Sequence, residues 1–433
     1  MEIHNSYSKV TSWALFAVML SVMLSVIFKL PEPFSWFFMI AIIFILFKSL
    51  STSFDVKKMD KGGFYLTLTF IGWLVLEFIR ATFYAEGYWM WKMVISNLII
   101  TLFYIVILVS SNLTIVRNYW GLYWKSFFPL VILSIFFYKS PTLLDFLPYS
   151  ILMLFFAFIP KKNRLLLIGI CVLYFIANEH RNDLAKIIVA ASIGLFIFYF
   201  YRTFPKMIRI VHIAFLSAPF IFLWLGVSSE FNVLNMDDYI KGDHTRKRTN
   251  DEGKLEDVSL KADSRTFIFE NVFYTLNNNN DWILGRSPAF GDEGVDNSWG
   301  TDESTGLKGR YGNEVGIMDI LLWYGVIGVI IYFLMFFRAS YLAIYKSRSR
   351  YVKGVGLYVA YLWLMSFIWE KPMFQTFYMM DLVLLGLCFS NKFRQMNDRE
   401  VEIWVRGIFS SRKVKRINIR PHESPLDIKR TIS

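Results

Sequence analysis

Long apolar stretches, interrupted at short intervals by small charged groups, cover most of the chain. Crossing the hydrocarbon core of a bilayer takes about 20 apolar residues in helical form. Runs of about that length fall near residues 12–29, 34–50, 64–80, 93–110, 122–139, 143–160, 164–178, 183–201, 207–226, 317–337, 353–369 and 373–390. The pattern predicts an all-α polytopic membrane protein with about 12 transmembrane helices. The backbone between spans has to lie at or beyond the interfaces, because lipid cannot satisfy its polar groups. One segment breaks the rhythm. The chain divides into residues 1–228 with the first nine spans, a large water-facing loop at 229–316, three further spans at 317–390, and a basic tail at 391–433.

The loop has three parts. Residues 236–259 are densely charged and weakly patterned, which predicts a segment that is flexible or ordered by a ligand. Ser264–Leu276 then places apolar residues at 267, 268, 272, 273 and 276, the spacing of an amphipathic helix lying along the membrane or packed on the bundle. Past Asn277–Asn280, residues 285–312 hold seven glycines and predict a shaped loop, neither helix nor sheet.

Charge fixes the expected orientation. Basic groups recur after every second span: Lys57, Lys58 and Lys61; Arg117 and Lys125; Lys161, Lys162 and Arg164; Arg202, Lys206 and Arg209; Lys346, Arg348, Arg350 and Lys353. The tail from residue 391 adds eleven Lys and Arg against five acidic residues. By the positive-inside rule both termini are cytoplasmic and 229–316 is external. The net charge of +12 does not imply nucleic-acid binding, because the loop alone holds 17 acidic and 10 basic residues. That is the charge pattern of a protein sorted by topology, and the tail needs no partner beyond anionic lipid headgroups. A composition of 55% hydrophobic and 18% charged residues, rich in Phe, Tyr and Trp, fits lipid exposure.

The chain has two cysteines, Cys171 and Cys388, both within apolar runs and expected to be buried small hydrophobes. The first apolar run, Thr11–Phe28, lacks a convincing cleavage site and is expected to remain as an anchor. No phosphate-binding loop, dinucleotide fingerprint or zinc motif is present, so no cofactor or metal is expected.

Candidate chemistry gathers at the predicted external face. Asn178–Asp183 places His180 and Arg181 at the start of the eighth span, where they read either as a helix cap with a snorkelling arginine or as a site. Arg265 opens the amphipathic helix and is either a solvated side chain or an anion ligand. Arg286, and Arg310 with Asn313 and Glu314, flank the glycine-rich segment. Guanidinium groups grip phosphate oxygens bidentately, so this set suggests an anionic lipid-linked substrate such as a lipid pyrophosphate. Glu314 is either a proton acceptor or a capping acid for the helix it precedes. Asp319, five residues on, is either a dipole partner or a buried counter-ion for an arginine. Tyr274, Trp282 and Trp299 could stack on sugars or pack the loop.

Residues 313–337, with Asn313-Glu314 opening a helix that continues through Gly325-Val326-Ile327-Gly328, resemble the corresponding region of the O-antigen polymerase and O-antigen ligase superfamily. Arg265 followed by Ile283-Leu284-Gly285-Arg286, and Arg181 before the eighth span, are similar to further features of that family. The resemblance covers roughly residues 165–340 by motif and the whole chain by layout. It implies a GT-C-like bacterial inner-membrane glycosyltransferase acting on undecaprenyl-pyrophosphate-linked glycans at the periplasmic face. Arg181, Arg265 and Arg310 would hold the pyrophosphate, and Glu314 would accept the proton. It also implies a flippase and a chain-length regulator as partners. Ligases of the family carry a histidine where this chain has Glu314, which favours polymerisation over ligation. A lipid-glycan transporter and a membrane scaffold are the expectations from other classes. The first is weakened by the absence of an evident internal repeat.

Overall fold

A computed structural model describes residues 8–18, 20–21, 32–53, 56–127, 129, 149–177, 181–227, 245–249, 255–259, 265–297, 300–301, 305–369 and 379–409. The first half contributes α1 (Glu32–Ser53), α2 (Lys61–Thr82), α3 (Gly87–Leu102), α4 (Ile105–Ser110) and α5 (Leu113–Leu122). The short α6 (Tyr149–Leu154), α7 (Lys161–Ala177), α8 (Arg181–Leu195) and α9 (Met207–Val227) follow. The loop region holds β1 (Thr245–Thr249), β2 (Leu255–Ser259) and α10 (Thr266–Asn279). The chain then forms α11 (Gly316–Tyr345), α12 (Arg350–Met365), α13 (Met379–Phe389), α14 (Asn391–Gln395) and α15 (Asp398–Phe409).

Among the described residues, four helical stretches are long and apolar enough to cross a membrane: Lys61–Thr82, Gly87–Ser110, Met207–Leu225 and Gly316–Tyr345. Shorter apolar helices occupy Trp36–Ser51, Ala185–Phe200 and Met379–Phe389. Half of the expected span at 12–29, most of that at 122–139, and the starts of those at 143–160 and 373–390 fall outside the described residues. Among the described residues the architecture is helical apart from one small hairpin. β1 and β2 pair antiparallel, with Lys247 opposite Asp257 and Arg248 opposite Glu256 in the register. The hairpin falls within the weakly patterned segment 236–259, most of which lies outside the described residues. The strands show no apolar alternation, so hydrophobic periodicity could not reveal them.

Packing follows helical spacing. In α2 the buried positions are Gly63, Thr67, Phe70, Leu74, Glu77 and Ala81, steps of three and four residues that form one stripe. Its other face exposes Tyr65 and Leu76, and Phe83 just beyond the helix is 82% exposed. Apolar surface of that extent is what a lipid environment covers. α12 is buried along nearly its whole length and packs against α8, α9, α11 and α13. Tyr332 and Phe333 of α11 pack against its Trp363, with ring centres 6.2 and 4.9 Å away.

The two ends of the bundle differ. At one end Met59 bridges to Ser390, Asp60 N–H donates to Phe389 O at 2.9 Å, and Arg338 pairs with the Asp60 carboxylate at 2.6 Å. Arg348 N–H donates to Arg394 O, and Arg350 pairs with Asp398 at 3.1 Å. Three of the basic segments predicted to share a side are thereby in direct contact. The amphipathic α15 closes this end. Its Val401, Trp404, Val405 and Ile408 are buried, and Trp404 Nε1 donates to Leu113 O at 3.3 Å.

Candidate functional site

At the opposite end the helix α11 is not continuous. Gly325 has φ 63° and ψ −171°, a conformation only glycine adopts readily. The break separates a wholly buried half-helix, Gly316–Tyr324, from the longer stretch that follows. The half-helix begins head to tail against α12: Gly316 N–H donates to Trp369 O and Ile317 N–H to Ser366 O, both at 2.8 Å. These bonds satisfy backbone donors that a buried helix start would leave orphaned.

The break is filled by the loop. Arg286 N–H donates to Leu322 O at 2.7 Å and Ser287 N–H to Trp323 O at 3.2 Å. In return, Val326 N–H donates to Trp282 O at 2.9 Å and Ile327 N–H to Ile283 O at 3.4 Å. Gly285, at φ 79°, lies directly against Gly325. The α2 side chains complete the clasp: Arg80 donates to Gly285 O and pairs with Glu77 at 3.1 Å, and Trp73 Nε1 donates to Tyr324 O at 3.0 Å.

The glycine-rich segment folds back over α10. That helix matches the expected amphipathic element to within a few residues, and its buried face is Ile268, Asn271, Val272, Thr275 and Leu276. The polar members of that face hold the loop: Asn271 Oδ1 accepts from Val295 N and Thr275 Oγ1 from Glu293 N, each at 3.0 Å. Asp292 and Arg310 exchange backbone hydrogen bonds at 2.9 and 2.8 Å, and Tyr311 donates to Ala289 O at 2.7 Å.

Arg286 sits inside this frame and is only 8% exposed. It pairs with Glu293 at 3.1 Å and Asp281 at 3.6 Å, donates to Gly291 O at 3.2 Å, and lies over the Phe290 ring. Burial pushes Glu293 up, but Arg286, with Asn279 and Lys308, outweighs it and leaves the carboxyl below its ordinary value. For Asp281 burial wins over Arg286 and Arg80, so its pKa is raised. The Tyr311 hydroxyl, raised first by burial, sits at about 12. Arg286 therefore braces the loop from within.

The remaining predicted residues divide clearly. Arg310 places its guanidinium 5.7 Å from the centre of the Phe267 ring, two residues past the half-buried Arg265, the residue that caps α10. The Arg310 guanidinium therefore lies against the first turn of α10, the helix that Arg265 opens. Asn313 is buried and donates through N–H and Nδ2 to Asp319 Oδ1 at 2.8 and 3.0 Å. Asp319 thus anchors the approach to the half-helix. Glu314 is exposed, and the N-cap is Val315, so the first N–H groups of the helix go to α12 carbonyls and not to Glu314. Arg181 is the first residue of α8, as expected. Tyr274 donates to Asp296 at 3.3 Å, and Trp282 packs on Phe273 with ring centres 5.5 Å apart, so both serve loop packing here. His180 and Trp299 lie outside the described residues.

The sequence reading passed over Glu77, Arg80, Lys186 and Asp381. Each is an ionisable side chain within an apolar run, and that was the available signal. Lys186 in α8 faces Asp381 in α13 at 3.8 Å and lies 4.0 Å above the Trp369 ring. No group of His, Cys, Asp and Glu residues suited to a metal occurs among the described residues. Cys171 and Cys388 are both buried and free. No protein-family model matches the chain, and neither does any curated protein or solved structure. Chemically, the loop end brings the Arg310 guanidinium to the first turn of α10, exposes the Glu314 carboxylate four residues further along the chain, and holds the segment with a rigid backbone clasp.

Proposed function

We propose that this chain is a glycosyltransferase of the bacterial inner membrane that polymerises O-antigen, capsular or exopolysaccharide repeat units carried on undecaprenyl pyrophosphate. The observation that carries the reading is the Arg310 guanidinium against the first turn of α10, the helix that Arg265 opens, with an exposed Glu314 four residues further along the chain. By the positive-inside rule the basic end faces the cytoplasm, which puts this cluster at the periplasmic surface where a lipid-linked glycan presents its headgroup. The acceptor sugar hydroxyl attacks the donor's anomeric carbon, and the bond from that carbon to the pyrophosphate oxygen breaks. Glu314 takes the hydroxyl proton. Arg265, Arg310 and Arg181 balance the charge that grows on the departing lipid pyrophosphate. The hydrogen-bonded loop covers the glycan and limits the access of water as a competing acceptor.

The test is extension of defined lipid-linked repeats by the purified protein in bilayers, with Arg181→Lys and Arg265→Lys at matched abundance. Lysine keeps the charge and loses the bidentate geometry. Removal of one transition-state donor costs about 3 kcal/mol, so each variant should slow extension roughly a hundredfold or more. Near-normal extension by both variants would reject the clamp. Transfer to lipid A–core without extension would make the protein a ligase.

A further inference from the structure

The turn that enters the clasp carries two exposed apolar side chains. Ile283 is 66% exposed and Leu284 47%, although both belong to the segment expected to face water. Their height along the bundle decides what surrounds them. α2 runs from its N-cap Asp60, at the basic end, to Arg80, whose side chain reaches the turn. At 1.5 Å per residue those two are about 30 Å apart, the thickness of a hydrocarbon core. Trp73, which donates to Tyr324 O, lies about 20 Å above Asp60 by the same measure. α11 supplies an independent distance: from Arg338, the partner of Asp60, back to Tyr324 is about 21 Å. The two distances agree, so the break in α11 stands about 10 Å below Arg80 at the loop end of α2. The turn is bonded to that break through Trp282, Ile283, Arg286 and Ser287 and shares its level.

We infer that residues 282–285 form a re-entrant tip, with Ile283 and Leu284 seated among the acyl chains of the leaflet on the loop side. The surfaces on either side of the tip are of the same kind. Leu76, Ile79 and Phe83 are exposed along one stripe at the loop end of α2, and Val326, Ile330 and Leu334 along another on α11 just past its break. Ile283 and Leu284 join these two stripes into one apolar surface. Non-helical backbone at hydrocarbon depth needs partners within the protein. The carbonyls of Trp282 and Ile283 accept from Val326 and Ile327, that of Gly285 accepts from Arg80, and Gly285 N–H donates to Asp281 O at 2.8 Å. The charged residues that flank the tip face each other, with Arg286 Nε 3.6 Å from the Asp281 carboxylate. Polar groups of the tip are thus turned inward and its apolar side chains outward, the arrangement that lipid favours and water does not. The inference concerns depth alone and does not depend on the reaction proposed above.

The test places single cysteines in the full chain, whose two native cysteines are buried. Ile283→Cys and Leu284→Cys probe the tip, and two probes allow for one that folds poorly. Glu270→Cys, at an exposed position of α10, is the water reference, and Ile330→Cys on α11 is the lipid reference. Thiol alkylation proceeds through the thiolate, which hydrocarbon excludes, so in nanodiscs an impermeant maleimide should modify the tip cysteines at least about tenfold more slowly than Glu270→Cys. Bimane attached to the same cysteines before reconstitution should be quenched by phospholipids brominated along the acyl chain to the extent seen at Ile330→Cys, and Glu270→Cys should not be quenched. Slow alkylation together with acyl-chain quenching establishes the re-entrant tip. Alkylation at the rate of Glu270→Cys would overturn it and leave the tip in water. Slow alkylation without quenching would also overturn it, because protein, such as a second copy of the chain, would then cover the tip in place of lipid.

Discussion

A methyl group on Gly285 would lie 2.5 Å from the backbone nitrogen of Gly325, and one on Gly325 would overlap the carbonyl of Ile283. Both residues also have positive φ, at 79° and 63°. Backbone strain of this kind costs about 1–3 kcal/mol before any overlap is counted. Gly325→Ala should therefore lower the thermal unfolding midpoint and the monodisperse yield sharply. Gly72→Ala is the control, because a methyl there meets nothing within 4 Å, and it should leave both unchanged. At Glu293 the prediction concerns pH. Its folded pKa lies below the ordinary 4.5, so its stabilising contribution is complete above that value. The contribution is lost as pH falls through the lower, folded value. Asp281, with a raised pKa, acts in the opposite sense and takes up its proton first. Protease cleavage between residues 285 and 312 should accelerate on acidification below pH 4.5, and Glu293→Gln should abolish most of that pH response.

Among the elements, α10 and α15 show what a sequence can disclose. The apolar spacing at 267, 268, 272, 273 and 276 located α10, because a one-sided helix writes its period into the chain. The same spacing could not disclose what its polar residues do, since Asn271 and Thr275 act on loop backbone distant in sequence. The break in α11 was half legible. Glycines at 325 and 328 were noticed as a motif, yet a glycine inside an apolar run reads equally well as close helix packing. Only Gly328, packed near Tyr324, Ile320 and Trp73, fits that second reading. Lys186 and Asp381 went unnoticed because each is a single charge in a long apolar run, and their meaning arises from pairing across helices. For α15 the prediction is direct. Trp404 contacts Trp120 and Phe393, with ring centres 5.5 Å apart in each case. Trp404→Ala removes a buried indole, a loss of about 3–5 kcal/mol. Hydrogen exchange should then show α15 released while amides of α12 stay protected.

For the molecule as a whole, the contacts joining residues 57–61, 338–350 and 390–398 gather positive charge at one end, and the loop clasp defines the other. By the positive-inside rule that polarity predicts an orientation in the bilayer. An impermeant thiol reagent applied to intact cells should label Asn280→Cys and spare Ser347→Cys, and the reverse pattern would invert the topology. The clasp also has a consequence for how the chain is made. The turn at 282–287 is synthesised before the backbone partners it requires, Leu322 to Ile327 around the break in α11, whereas Trp73 and Arg80 are made earlier. When the turn first emerges, it can meet α2 but cannot close its own backbone bonds. The loop must therefore wait, incomplete, until α11 forms and breaks at Gly325. Assembly of this surface is thus timed by the arrival of a late helix, and a chain truncated ahead of residue 316 would leave that surface without its seat.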